Sequence, residues 1–174
     1  MMLRTATGAV LALFLAPGLL AQDNPAEQAR RLLEDSGPRG FLAVSAPYPV
    51  DLAFRGRTLV QGQSQFRVSL PAGRQAVTLT SARVFLRHNA SIDVPADGTV
   101  TLSAPGTGKL HIRASPDNCE IFVNGAFVDY PPILDRPAAA GRHVIGFRWP
   151  DGSKREETVE VKAGSPAFVV GRKE

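Results

Sequence analysis

One succession of strand and turn residues occurs twice in this chain, and that repetition constrains the fold more than any other feature. Phe41-Leu42-Ala43-Val44-Ser45-Ala46-Pro47 runs into an apolar stretch ending at Phe54, then Gly56, then Pro71-Ala72-Gly73-Arg74, then Val94-Pro95-Ala96-Asp97-Gly98. Leu110-His111-Ile112-Arg113-Ala114-Ser115-Pro116 opens a second round, followed by a stretch to Val123, then Asn124-Gly125, then Ala139-Ala140-Gly141-Arg142, then Val161-Lys162-Ala163-Gly164. The spacing is 69 residues between Gly56 and Gly125 and 68 between Gly73 and Gly141. A register kept through several turn residues reads as two copies of one unit. The joint falls in Pro105-Gly106-Thr107-Gly108, a stretch too short to be a loose linker, so the two copies form a restricted pair.

Within each copy the hydrophobic period is two. Leu110, Ile112 and Ala114 alternate with Lys109, His111 and Arg113, which gives a strand one apolar and one wet face. Ile121 and Val123 do the same before Asn124-Gly125, a dipeptide suited to a tight hairpin. Ile145, Phe147 and Trp149 share one face of a later strand, and Val159 and Val161 share a face of the next. Glycine and proline recur every 8 to 15 residues from Gly40 onward. The expected fold is all-β: two tandem small β-sandwich units over 40–105 and 106–174.

The N-terminus reads differently. Met1-Met2-Leu3-Arg4 is followed by an uncharged apolar stretch from Thr5 to Leu20, ending at Ala21. Basic, then apolar, then small is the order of a secretory signal peptide, expected over 1–21, and the stretch is short for a membrane span. Retention as an uncleaved anchor is the alternative; after cleavage no stable transmembrane anchor is expected. No cysteine follows Ala21, which argues against a lipoprotein. Asn24, Pro25 and Glu27, with Gly37-Pro38 as the stop, predict a short helix over 24–36 within a 22–39 segment. The chain is therefore read as exported to the periplasm or cell surface.

Composition narrows the function classes. Without residues 1–21 the charge is +3, from 19 basic and 16 acidic residues, and the arginines Arg55, Arg57, Arg67, Arg74, Arg83 and Arg87 are scattered singly. Nucleic-acid binders cluster such charge, so nucleic acid is not an expected partner. Cys119 is the only cysteine and reads as a small buried hydrophobe. His88, His111 and His143 do not fall at metal-ligand spacing, and His143, at a strand start after Gly141-Arg142, is placed to hydrogen-bond the neighbouring turn. Gly106-Thr107-Gly108-Lys109 lacks the leading glycine of a phosphate loop and precedes a strand. Asn89-Ala90-Ser91 fits a glycosylation pattern that is frequent by chance. No nucleophile elbow or paired-carboxylate motif is present, so the chain reads as non-catalytic, without cofactor or metal.

The second copy resembles the PEGA domain, a small β-sandwich module of surface-layer and other exported prokaryotic proteins. The resemblance rests on Ile112-Arg113-Ala114-Ser115-Pro116, Asn118-Cys119 in the place of Gly-Ala, Ile121-Phe122-Val123-Asn124-Gly125, Tyr130-Pro131-Pro132 and Ala140-Gly141-Arg142-His143-Val144. The first copy departs further, with Arg55-Gly56 at the hairpin turn and Gln75 where the family has histidine. The resemblance implies a seven-strand sandwich in an envelope setting and transfers no catalytic residue. The binding candidates come from the residues instead: Phe127, Tyr130, Arg142 and Arg148, with Phe122 beside them and Trp149 read chiefly as core. An aromatic beside an arginine offers large apolar area with a fork of donors. The expected function is an envelope binding or adaptor module whose partner is an envelope protein or cell-wall polysaccharide; a structural, self-assembling spacer is the alternative.

Overall fold

A computed structural model of the protein describes residues 37–173. The signal peptide expected over 1–21 and the helix expected over 24–36 lie outside these residues. The described chain is almost all strand. In order it forms β1 (Arg39–Phe54), β2 (Arg57–Pro71), β3 (Gly73–Ser81), β4 (Leu86–Val94), β5 (Thr99–Ser103), β6 (Thr107–Ser115), β7 (Glu120–Val123), β8 (Ala126–Asp129), β9 (Ile133–Ala139), β10 (Gly141–Arg148), β11 (Lys154–Val161) and β12 (Pro166–Arg172). A single 3-10 turn over Ala82–Val84 is the only helical element among the described residues.

The strands make three open sheets. β1 to β5 form one, in the order β2-β1-β3-β4 with β5 also on β1; the others are β11-β10-β7-β8 and β12-β6-β9. Alternation sets which face each strand buries. In β1, Leu42, Val44, Ala46, Tyr48, Val50 and Leu52 all point inward, while Pro47 and Pro49 fall on the outward positions between them. Proline donates no backbone hydrogen bond, and the β1–β2 ladder shifts register between Ser45 and Val50, where these prolines sit. The strand therefore continues through a point where its pairing does not.

Two buried clusters result. One is built from β1 to β4, around Leu42, Leu52, Leu70 and Leu79; the other joins inward residues of the two C-terminal sheets, Leu110 and Ile112 from one and Ile121, Ile145 and Phe147 from the other. The clusters touch through exchanged residues. Ala139 of β9 belongs to the first, and Phe85 packs against the second, its ring under the Arg136 guanidinium at 5.4 Å. The Tyr48 hydroxyl donates to Pro105 O at 2.7 Å across the joint, and burial pushes its phenol above the ordinary value. Burial, and then the charge of Asp117, push the Cys119 thiol up as well; it stands in the bend before β7, 1% exposed, where the thiolate is disfavoured.

The same backbone contacts occur in both halves. β1 pairs in parallel with β5 from Phe41↔Thr99 to Ser45↔Ser103, and β6 pairs in parallel with β12 from Lys109↔Pro166 to Ser115↔Arg172. Phe41 N donates to Gly98 O and Lys109 N to Ser165 O, at 2.8 and 3.1 Å. Ala72 N reaches Pro38 O and Ala140 N reaches Gly106 O, at 2.8 and 2.7 Å. Each half thus begins with a strand clasped between its own last strand and the turn that precedes it.

Candidate binding face

The outward face of the β11-β10-β7-β8 sheet collects the residues of interest. Parity along β10 buries His143, Ile145 and Phe147, so Arg142, Val144, Gly146 and Arg148 point outward. β7 buries Ile121 and Val123 and turns Glu120 and Phe122 to the same side. The hairpin at Asn124 and Gly125, both at positive φ, returns the chain so that Phe127 lies opposite Phe122. Asn124 also fixes this turn from below. Its Oδ1 accepts from Val144 N at 3.0 Å, and its Nδ2 donates to Phe85 O at 3.2 Å and faces His143 Nδ1 at 3.1 Å.

Three aromatic rings run in sequence across this face. Phe122 meets Phe127 edge to face at 5.8 Å, and Phe127 meets Tyr130 likewise at 5.8 Å. Phe127 and Tyr130 are 53% and 58% exposed, more than large apolar side chains usually are in a packed sheet. The Arg148 guanidinium lies 4.5 Å above the Phe122 ring, and its Nε donates to Glu120 Oε2 at 2.9 Å. An exposed ion pair of this kind is worth about 0–1 kcal/mol, so its main consequence is orientation. Cation–π contact adds about 0.5–1 kcal/mol.

Two open depressions flank Arg148. The first, of about 260 Å³, is floored by Gly146 and walled by Phe122, Val144, Lys154 and Glu156. Gly146 stands opposite Phe122 in the ladder, and with no side chain there the floor stays low. The second, of about 390 Å³, is lined by Asn118, Glu120, Tyr130, Trp149 and Pro150. Arg148 borders both.

Of the expected site residues, Phe127, Tyr130 and Arg148 come together with Phe122. Arg142 does not: it points to the same face but opposes Glu160 at the far end of β10, roughly 20 Å from Arg148 at about 3.3 Å per residue. Trp149 is core, 3% exposed, stacked on Phe147 at 6.1 Å with its Nε1 donating to Pro116 O. Sequence reasoning missed Glu120, Gly146 and Lys154. The parity set by Ile145, Phe147 and Trp149 carried the signal for Gly146; Lys154 emerges only once the β10–β11 register places it opposite Arg148.

The histidines have other surroundings. His143 is buried, with Nε2 2.8 Å from Ala139 O; a carbonyl only accepts, so Nε2 carries the hydrogen and Nδ1 takes that of Asn124. His111 stacks on Phe168 at 4.8 Å on the outer face of the β12-β6-β9 sheet. His88 lies in β4 opposite Leu79. Among the described residues there is no group of three or more histidine, cysteine, aspartate or glutamate side chains able to hold a metal. Among them, too, no helix is long and apolar enough to cross a membrane. No protein-family model matches the chain, and no curated protein matches it.

Proposed function

We propose that this protein is an exported, non-catalytic binding module of the cell envelope, built from two related PEGA-like β-sandwich units, whose second unit contacts its partner through the face carrying Phe122, Phe127, Tyr130 and Arg148. Support for the paired units is the shared register of β1 with β5 and β6 with β12, and the matched backbone bonds at Gly98 and Ser165. Export rests on the order of residues 1–21. The single observation that carries the binding reading is the asymmetry of the two halves. Phe122 pairs with Phe127 and Gly146, whereas the corresponding ladder in the first half pairs Ala53 with Thr58 and Thr78. The fold thus accepts Ala and Thr at these positions, so the exposed aromatic cluster is not a requirement of folding.

The test is capture of material from an envelope extract on the immobilised full chain, with protein and sugar analysis of what is retained. Wild type and Arg142→Ala should retain the same component, and a Phe127→Ala/Tyr130→Ala variant should lose it. Equal retention by the double variant, or no retention by any form, overturns the reading. A self-assembling spacer is the second reading, favoured by Phe168 and Val170, 71% and 52% exposed on the edge strand β12. Sedimentation of the same preparations decides it: mass that grows with concentration supports assembly, and a strict monomer removes it.

A further inference from the structure

We infer that the depression between Arg148 and Lys154 receives a carboxylate carried on a sugar ring, so that the ligand of this face is an acidic polysaccharide with one charge per few sugar residues. The inference rests on the reading of the face as a binding surface and adds the chemical class of what is bound.

The first support is the state of Arg148. Its two contacts are the Nε–H given to Glu120 and the guanidinium carbon 4.5 Å from the centre of the Phe122 ring. Arg148 borders both depressions, and these two contacts restrict the direction of its guanidinium. A preset guanidinium fork matches the two oxygens of a carboxylate, and such charge-assisted bonds are roughly twice as strong as neutral ones.

The second support is a pair of like charges facing each other across two strands. Lys154 stands directly opposite Arg148 in the β10–β11 ladder, and like charges placed so are destabilising. The corresponding pair in the first half is Thr80 with Arg87, where only one residue is charged. A bound anion reaching both cations turns that repulsion into attraction.

The third support concerns what surrounds the charges. Phe122 and the bare backbone at Gly146 offer an apolar wall and floor to one face of a ring. Beyond Arg148, Asn118 and Tyr130 present an amide and a phenol to whatever continues from it. Glu156 borders the first depression and Glu120 the second, where each can accept hydrogen bonds from hydroxyls while repelling a ligand with charge at every unit. That excludes densely anionic polymers and favours sparse carboxylates among many hydroxyls.

Affinity electrophoresis and calorimetry of the full chain with a mostly methyl-esterified polygalacturonate that keeps one free carboxylate per several sugars, its fully esterified form, fully de-esterified polygalacturonate and neutral dextran test this. Binding to the sparsely acidic polymer should exceed binding to the fully de-esterified one and should be weakened about tenfold or more by complete methyl esterification, by Arg148→Ala and by Lys154→Ala, with Arg148→Lys intermediate because it keeps charge without the fork. Lys154 is exposed on an edge strand, so its variant should fold even if Arg148→Ala does not. Equal binding of the sparsely acidic and the fully esterified polymer, or wild-type affinity in the Lys154→Ala and Arg148→Ala proteins, overturns the inference. If no polysaccharide binds while capture from the envelope extract still depends on Phe127 and Tyr130, the acidic sugar is refuted and the binding face stands. If both fail, both fall.

Discussion

The two halves of the described chain solve the same topological problem with different materials. In the first, β1 and β2 run unbroken for 16 and 15 residues, so their two ends serve two groups of strands within one connected sheet. In the second, the same path is cut. Pro116 and the bend after it separate β6 from β7, and Pro131-Pro132 separate β8 from β9, leaving two distinct sheets. Proline also interrupts the pairing of β1, at Pro47 and Pro49, without ending the strand, since both fall on outward positions between buried neighbours. Continuity of a strand is therefore negotiable in this architecture; the clasp of first strand, last strand and connecting turn is common to both halves.

The largest effects should come from breaking that clasp. A Cβ added at Gly40 would press on the carbonyl oxygens of Pro95 and Gly98, and one at Gly108 on those of Lys162 and Ser165. Backbone oxygens cannot rotate away as side chains do, so the first strand must retreat from its partner. Gly40→Ala and Gly108→Ala should each destabilise by about 2–4 kcal/mol in urea titration. Similar losses at the two sites would sharpen the equivalence of the halves; a neutral substitution at one of them breaks it.

Much of this was legible in the sequence, and the boundary of what was legible is physical. Period-two alternation and the Asn124-Gly125 turn are local signals, and both appear in the structure as read: Ile121 and Val123 are buried, and the turn residues have φ of 51° and 82°. Gln75, counted as a departure from the histidine pattern, donates from Nε2 to Ala72 O at 3.4 Å, much as His143 bonds Ala139 O. The residue type differs and the bond to the turn persists. Arg142 was grouped with the aromatics because it is near them in sequence, but strand geometry carries it to the opposite end of β10. Register, which placed Lys154 opposite Arg148, and contact between sheets, which placed Gly171 on Phe147, are not written in any local window.

That last contact gives the next prediction. A Cβ at Gly171 would lie 2.6 Å from ring carbons of Phe147, which is 1% exposed and cannot swing aside. In the first half the corresponding residues are Ala104 and Leu79: the smaller core residue goes with the larger edge residue. Gly171→Ala should cost about 1–3 kcal/mol of stability through overpacking. Adding Phe147→Leu should recover part of that loss, so the double variant is more stable than the two single losses predict. Strict additivity in the double-mutant cycle would show that the exchange of volume between the halves is coincidental.

The smallest effect concerns the turns that follow β3 and β10. In the first half this turn is Ala82–Val84, with Val84 buried and Phe85 packed on the second core, so apolar contact holds it. In the second half the turn is exposed and held by charge: Lys173 Nζ reaches Asp151 Oδ2 at 2.6 Å, and Ser153 donates its hydroxyl and backbone N–H to Oδ1. The hydrogen bond from Lys173, then those from Ser153, hold the Asp151 carboxyl well below the usual carboxylate range. A depressed folded value means that this contribution is present above the ordinary carboxylate range and is lost as pH falls through the depressed one. Asp151→Asn should therefore melt slightly below wild type at neutral pH, by less at high salt, with the gap closing as the solution is acidified toward pH ~2. A gap that stays constant with pH would mean that charge does not hold this turn and that the ion pair adds nothing to the fastening of β12.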